Sequence, residues 1–257
     1  MSGLTINVMR LRRILTRYFL LCMVLSPVLS QAQLKAFTEN LAPLNYHHQG
    51  KLTGFSTELL QAMLKHADLH AEFVLQPWAR SYQQVLQQPD SLIFSIARTP
   101  ERIPLFEWIG PISPRRICLL KLSSRRDIQL ANLAELKHYR LGLVREMASS
   151  KLMIAKNLVP DTAYDFAPTS ESNIRKLMAG RVDLIVGSDW VTFYEAKRIS
   201  AQADSVEVAW VLDDQSPYYF ALNKQTNPLL LKKLRVAFEH LKANGSVERL
   251  RKRYLEK

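Results

Sequence analysis

Cysteine is nearly missing from this chain of 257 residues, which has only two. One, Cys22, falls in an N-terminal segment expected to be removed, so Cys118 stands alone in the remainder and no intramolecular disulfide can form. A chain of this length builds an adequate core without such staples. Cys118 lies in an apolar run and is read as a small buried hydrophobe. Metal-ligand patterns are missing too. His47 and His48 are adjacent, without the i,i+4 spacing or added Cys/Asp partners of a metal site, and are expected in a surface loop. There is no nucleophile elbow, no phosphate-binding loop, no low-complexity tract and no repeat. No cofactor is expected.

A long apolar run is also lacking. The best is Tyr18 to Leu29, which is short and interrupted by Pro27. Four arginines precede it (Arg10, Arg12, Arg13 and Arg17), and Ser30-Gln31-Ala32 places small residues where a signal peptidase reads. Residues 1–32 therefore read as a signal peptide cleaved after Ala32, with export to the periplasm and no membrane insertion afterwards. The leader holds four of the 35 basic residues and none of the 23 acidic ones, leaving 31 against 23, a balance of +8. The charges are spread over expected helix faces without an RNA-binding signature. The densest group, Arg249 to Arg253, reads as the solvated side of a terminal helix, so no nucleic-acid partner is expected.

What remains alternates between strand and helix. Leu34–Thr38, Ala71–Leu75 and Ser91–Ala97 read as strands, and Glu39 to Gly54 as a loop. Helices are expected after a Ser56 or Thr57 cap and after Trp78. Phe106 to Ile112 and Arg116 to Leu122 are extended, and Ser123-Ser-Arg-Arg126 is a polar break. The alternation then restarts. Strands are read at 139–144, 182–187 and 206–212, with helices opening at Ser149 or Ser150, at Ser170 and at Asp189. A further extended segment covers 216–223, and two helices close the chain, the first from Asn227-Pro228. Such alternation builds parallel sheets covered by helices.

The most informative stretch is Phe94 to Arg102. A buried strand stops at Pro100 and delivers Arg98, Thr99 and Arg102 to its carboxyl end, where open α/β sheets bind ligands. Arg102 can grip a carboxylate through two parallel N–H···O bonds, with Ser95 and Thr99 as added donors. A salt-bridged surface loop after an ordinary core strand fits the same spacing. Trp78, in Pro-Trp-Ala-Arg80, is a candidate ligand-stacking wall, although core packing explains it as well.

Taken in order, several pieces resemble the bacterial extracellular solute-binding proteins of family 3, the polar amino-acid binding components of ABC importers. They are Gly50-Lys-Leu-Thr-Gly-Phe-Ser56, Ser95…Thr99-Pro-Glu-Arg102, Phe106-Glu-Trp-Ile-Gly-Pro111, Ala179-Gly-Arg-Val-Asp183 and the tail from Tyr219. The resemblance implies an α/β, two-lobe, type II periplasmic-binding-protein fold with two extended hinge crossovers. Residues 33–119 and 217–257 would form lobe one and 120–216 lobe two. It also implies a monomer that binds a small carboxylate-bearing solute, works with an inner-membrane ABC permease and is not an enzyme. Arg102 would be the carboxylate clamp, with Thr99 and Ser95 beside it. Cyclohexadienyl dehydratases on the same scaffold supply an alternative, with Glu39 or Asp189 as acid or base, and a sensory protein without a transporter supplies another.

Departures from the family pattern touch the ligand directly. Ala97 replaces a hydroxyl donor, and Arg145-Glu-Met-Ala-Ser149 replaces Gly-Thr or Gly-Ser in lobe two. The position of the acid that meets the ligand's amino group is Ser188, with Asp189 one residue later. Arg98 and Arg145 would suit a more anionic ligand if they face the cleft; pairing with Glu101 or Glu146 is the other reading.

Overall fold

A computed structural model describes residues 34–158, 164–200 and 205–255, all within the compact unit Gln33–Lys257. The expected signal peptide lies outside the described residues.

Strands β1 (Leu34–Thr38), β4 (Ala71–Leu75), β5 (Ser91–Ala97), β12 (Tyr218–Asn223) and β6 (Phe106–Ser113) form one sheet in the order β4-β1-β5-β12-β6. β1 pairs parallel with β4 and β5, whereas β12 runs antiparallel to β5 and β6. Every residue of β5 is buried, as an uninterrupted apolar strand requires when helices cover both faces. On one face lie helices α1 (Phe55–Ala67) and α6 (Pro228–Ala243), which bury Leu59, Met63, Leu234 and Phe238 against Leu92 and Phe94. On the other face, helix α2 (Trp78–Gln87) buries Trp78, Tyr82 and Val85 against Phe37, Ile93 and Ile96.

The face assignment of β5 contains an irregularity. Leu92 and Phe94 point one way, and both Ile93 and Ile96 point the other. Ser95 is the extra residue: Phe94 pairs with Phe220 and Ile96 with Tyr219, and Ser95 sits at φ +60°. This is a β-bulge, which twists the strand end and re-aims its side chains.

The second sheet runs β11-β7-β10-β8-β9, from β7 (Ile117–Leu122), β8 (Leu141–Val144), β9 (Tyr164–Ala167), β10 (Leu184–Ser188) and β11 (Val206–Asp213). Helices α4 (Ser170–Met178) and α5 (Asp189–Ile199) cover one face with Ile174, Leu177, Val191 and Ala196. Met153 of helix α3 (Ala148–Ala155), together with Leu136 and Ile128, covers the other. Cys118 is fully buried in β7, and burial pushes its thiol up to about 11, so it packs and does not react. Helix α7 (Ser246–Leu255) ends the described chain.

The chain crosses between sheets twice, from Ser113 to Ile117 and from Asp213 to Tyr218. Ile117-Cys-Leu119, placed in lobe one from the sequence, pair in the second sheet with β10 and β11. The expected loop from Glu39 to Gly54 contains a hairpin, β2 (Tyr46–His48) with β3 (Lys51–Thr53), closed by Gln49 and Gly50, both at positive φ. The cap of α1 also differs from expectation. Neither Ser56 nor Thr57 caps it. The Phe55 and Ser56 N–H groups donate to the carbonyls of Pro43 (3.1 Å) and Leu44 (2.8 Å), so the helix start is satisfied by a neighbouring turn. That approach demands Gly54, where a Cβ would lie 2.5 Å from the Leu44 oxygen.

Candidate functional site

The carboxyl ends of the sheets face each other across a cleft. Lobe one presents Glu39 after β1, Ser95 and Ala97 of β5, and Arg102; the crossovers add Arg115 and Tyr218. Lobe two answers with Ala148 and Ser149 at the start of α3, Asn173 of α4 and Ser188 at the end of β10. The free space is about 50 Å³. At roughly 10–15 Å³ per water, that is room for about four.

Arg102 is placed by a turn in which its N–H and that of Ile103 donate to the Thr99 carbonyl, at 2.9 and 3.0 Å. It is 5% exposed. Its guanidinium carbon lies 5.4 Å from the Trp78 ring centre and 5.1 Å from that of Tyr82, two rings stacked on each other. Trp78 therefore backs the arginine and is not a wall of the inner cavity. Nη1 donates to the Ala97 carbonyl at 3.4 Å and Nη2 to the Glu146 carbonyl at 3.2 Å. No carboxylate forms an ion pair with Arg102 among the described residues. Burial pulls its pKa down, yet guanidinium stays charged. The result is a desolvated cation whose close partners, two carbonyls and the Trp78 and Tyr82 side chains, are neutral.

Glu39 is the complementary oddity. It is 2% exposed, neither carboxylate oxygen has a hydrogen-bond partner, and burial pushes its pKa up to about 8. Its backbone is fixed by Asn45, whose Nδ2 donates to the Glu39 carbonyl at 2.7 Å. Ser95 holds Asn45 in turn: its hydroxyl donates to Asn45 Oδ1 at 2.5 Å and lies 2.9 Å from Ser56 Oγ. Ser95 thus lines the cavity but positions the glutamate's segment.

Helix α3 enters the cleft by its N-terminus. Met147, its cap residue, provides no side-chain bond. The first-turn N–H groups around Ala148 and Ser149, with the positive end of the helix dipole, therefore suit an anion facing Arg102. Ser188 brings a buried hydroxyl to the wall. Asp189 does not reach it. As the first residue of α5, its Oδ1 accepts from the Trp190 N–H at 2.7 Å and its Oδ2 lies 3.5 Å from Arg116. This carboxylate is turned onto its own helix.

Arg98 and Arg145 are both exposed and leave the inner cavity. Arg98 stacks over Trp108 and Tyr219, at 5.9 and 5.8 Å, and Arg145 over Phe166 at 5.5 Å. Thr99 lies on an outer wall of the cleft, and its carbonyl closes the Arg102 turn. The second cleft guanidinium is instead Arg115, buried on the first crossover, with Nη1 2.7 Å from Asp213 on the second. Sequence reasoning missed it because a crossover has no periodicity to mark which way a side chain faces. The Pro114-Arg-Arg116 run was the available signal.

Direct contacts join the lobes. Trp78 Nε1 donates to the same Glu146 carbonyl at 3.2 Å, Asn40 Nδ2 to Glu171 at 3.4 Å, and Tyr46 packs on Tyr194 with ring centres 5.4 Å apart. The cleft is closed.

Residues 34–257 match the family described as bacterial extracellular solute-binding proteins, family 3. The probable amino-acid-binding protein YxeM of Bacillus subtilis (strain 168) is 23% identical over 215 residues, covering 82% of this chain and 79% of that protein. An ancestral arginine-binding protein bound to arginine superposes with a TM-score of 0.75 at 21% identity, covering 87% of this chain and 98% of that one. A histidine kinase sensor domain similar to periplasmic binding proteins gives 0.78 at 17%, covering 87% and 96%. An ancestral amino-acid-binding protein, a precursor of cyclohexadienyl dehydratase, gives 0.73 at 19%, covering 90% and 98%. At these identities the structures establish the two-lobe fold, and the match along residues 34–257 establishes more: this chain belongs to the family 3 bacterial extracellular solute-binding proteins.

Proposed function

We propose that this chain, after export and cleavage at Ala32, captures a compact carboxylate-bearing solute between its lobes and delivers it to an inner-membrane ABC importer. One observation carries the reading. Arg102 is a buried cation without a carboxylate partner, held on an aromatic platform and aimed across the cleft at the start of α3. A ligand carboxylate bridging the two would replace neutral carbonyl contacts by charge-assisted ones, and only the closed state completes the set. Glu39 supports an amino acid in particular, because a buried carboxyl without a partner gains one when an ammonium enters. An entering ammonium lowers the pKa of Glu39, so zwitterion binding near pH 7 releases a proton.

Glu39 also supports a second reading. A carboxyl with a pKa near 8 in a closed cleft is suited to proton transfer, as an enzyme of the cyclohexadienyl-dehydratase kind requires.

Thermal unfolding against amino acids, dicarboxylates and prephenate, with a product assay on each hit, separates the two. A ligand at 100 times its Kd stabilises by about 2.7 kcal/mol. Stabilisation without product is the expected result. Turnover of prephenate or arogenate would replace the carrier reading with the enzyme one.

A further inference from the structure

Past Arg102 and Arg115 the cleft opens into a second space of about 730 Å³, against about 50 Å³ for the inner cavity. The two spaces share Arg102, Arg115, Ile117, Ala148 and Ser149, so the guanidiniums stand at the join. Leu105 projects into the outer space from lobe one and Leu152 from lobe two, 40% and 38% exposed. Pro100, Ala155 and Leu212 extend the apolar wall.

The charged groups on that wall are engaged elsewhere. Lys151 pairs with Glu146 at 2.6 Å, Asp213 with Arg115 at 2.7 Å, and Arg98 lies on two aromatic rings. Glu101 is exposed, interacts first with the Thr99 side chain, and is attracted only through solvent by Arg102 and Lys151. Among the described residues Arg102 is the buried cation on that wall with no ion pair; Arg98, which has none either, is exposed and lies on its rings. A roomy pocket of apolar character with one unpaired anchor suits an anion carrying an apolar body.

We propose that the outer space is a tail subsite: the solute is a carboxylic acid whose apolar chain or ring runs outward from Arg102 between Leu105 and Leu152. This rests on the reading of Arg102 as the carboxylate anchor. It is independent of the amino group, which Glu39 would meet on the inner side.

Calorimetric titration of the purified protein with straight-chain carboxylates, from acetate to octanoate, tests it. Each methylene buried is expected to tighten binding about threefold to fourfold. In Leu105→Ser/Leu152→Ser, with acetate as the reference within that variant, the gain per methylene should fall below about twofold. Both side chains are well exposed, so the variant keeps the core. In Arg102→Ala the whole series should weaken by a common factor. Affinity that depends on Arg102 but not on chain length would overturn the tail subsite and leave the anchor standing, as would binding of zwitterionic amino acids without any alkanoate. A chain-length gain indifferent to Arg102 would overturn the anchor itself.

Discussion

At the scale of single residues, the cleft is set by two buried titratable groups with unmet demands, the cation Arg102 and the carboxyl of Glu39. Glu39 makes the protein's stability depend on pH in a defined direction. Burial pushes its carboxyl up from the ordinary 4.5 to about 8, so the unfolded state gives up its proton first. The group's contribution is intact below about pH 4.5, falls as pH rises from there to about 8, and is then flat, at a slope of roughly 1.4 kcal/mol per pH unit at most. Glu39→Gln should flatten that decline and raise Tm at pH 8; an unchanged profile would mean that Glu39 is already ionised. The place of Arg102 on the cleft was legible in the sequence, because a buried strand, a proline and an arginine in that order put the arginine just past the strand's carboxyl end. The direction of Asp189 was not, because the first residue of a helix can cap its own backbone or face the cleft at little difference in energy. Arg98 and Arg145 found aromatic faces, and their partners Tyr219 and Phe166 are distant in sequence.

At the scale of elements, the bulge in β5 links fold to site. The apolar run 91–97 identified the strand, but no feature of the run announced that Ser95 would be an extra residue at φ +60°. The bulge turns the serine hydroxyl to Asn45 and Ser56 and so secures the Glu39 segment. Ser95→Ala keeps the strained backbone, loses the hydroxyl and leaves Asn45 short of a donor; urea denaturation should show a loss of about 1–3 kcal/mol. Ser95→Gly loses the same bonds but relieves the positive φ, so it should be less damaging than alanine by about 1 kcal/mol. A glycine variant worse than alanine would contradict the bulge. Strand β9 escaped the sequence reading because it is a four-residue edge strand with only Ala167 fully buried, too short for a period to emerge. The start of α1 escaped for another reason: its cap is a remote backbone turn, which no local residue pattern encodes.

For the whole molecule, two of the direct polar contacts between the lobes converge on one carbonyl. The Glu146 carbonyl, on a residue at φ +60°, receives both Trp78 Nε1 and Arg102 Nη2. Trp78→Phe removes one of these bonds and keeps an aromatic face behind Arg102. Small-angle scattering should then show a larger radius of gyration for the unliganded variant than for the parent, with the difference removed by saturating ligand. Equal radii without ligand would mean that the other interlobe contacts suffice. The two-lobe order was legible from the restart of strand–helix alternation after Arg126, whereas the point of crossing was misplaced by a few residues. Extended crossover and extended strand look alike in sequence, and only pairing of Ile117 to Leu119 with β10 and β11 distinguishes them.

Arg102 is the proposed anchor of the ligand carboxylate. Calorimetric titration of the best-stabilising solute into the parent and into Arg102→Ala, with matched circular dichroism spectra, tests it most directly. Loss of a buried charge-assisted pair predicts a drop in affinity of at least about 30-fold, or 2–5 kcal/mol. Affinity within about threefold of the parent would place the ligand away from Arg102 and contradict the account.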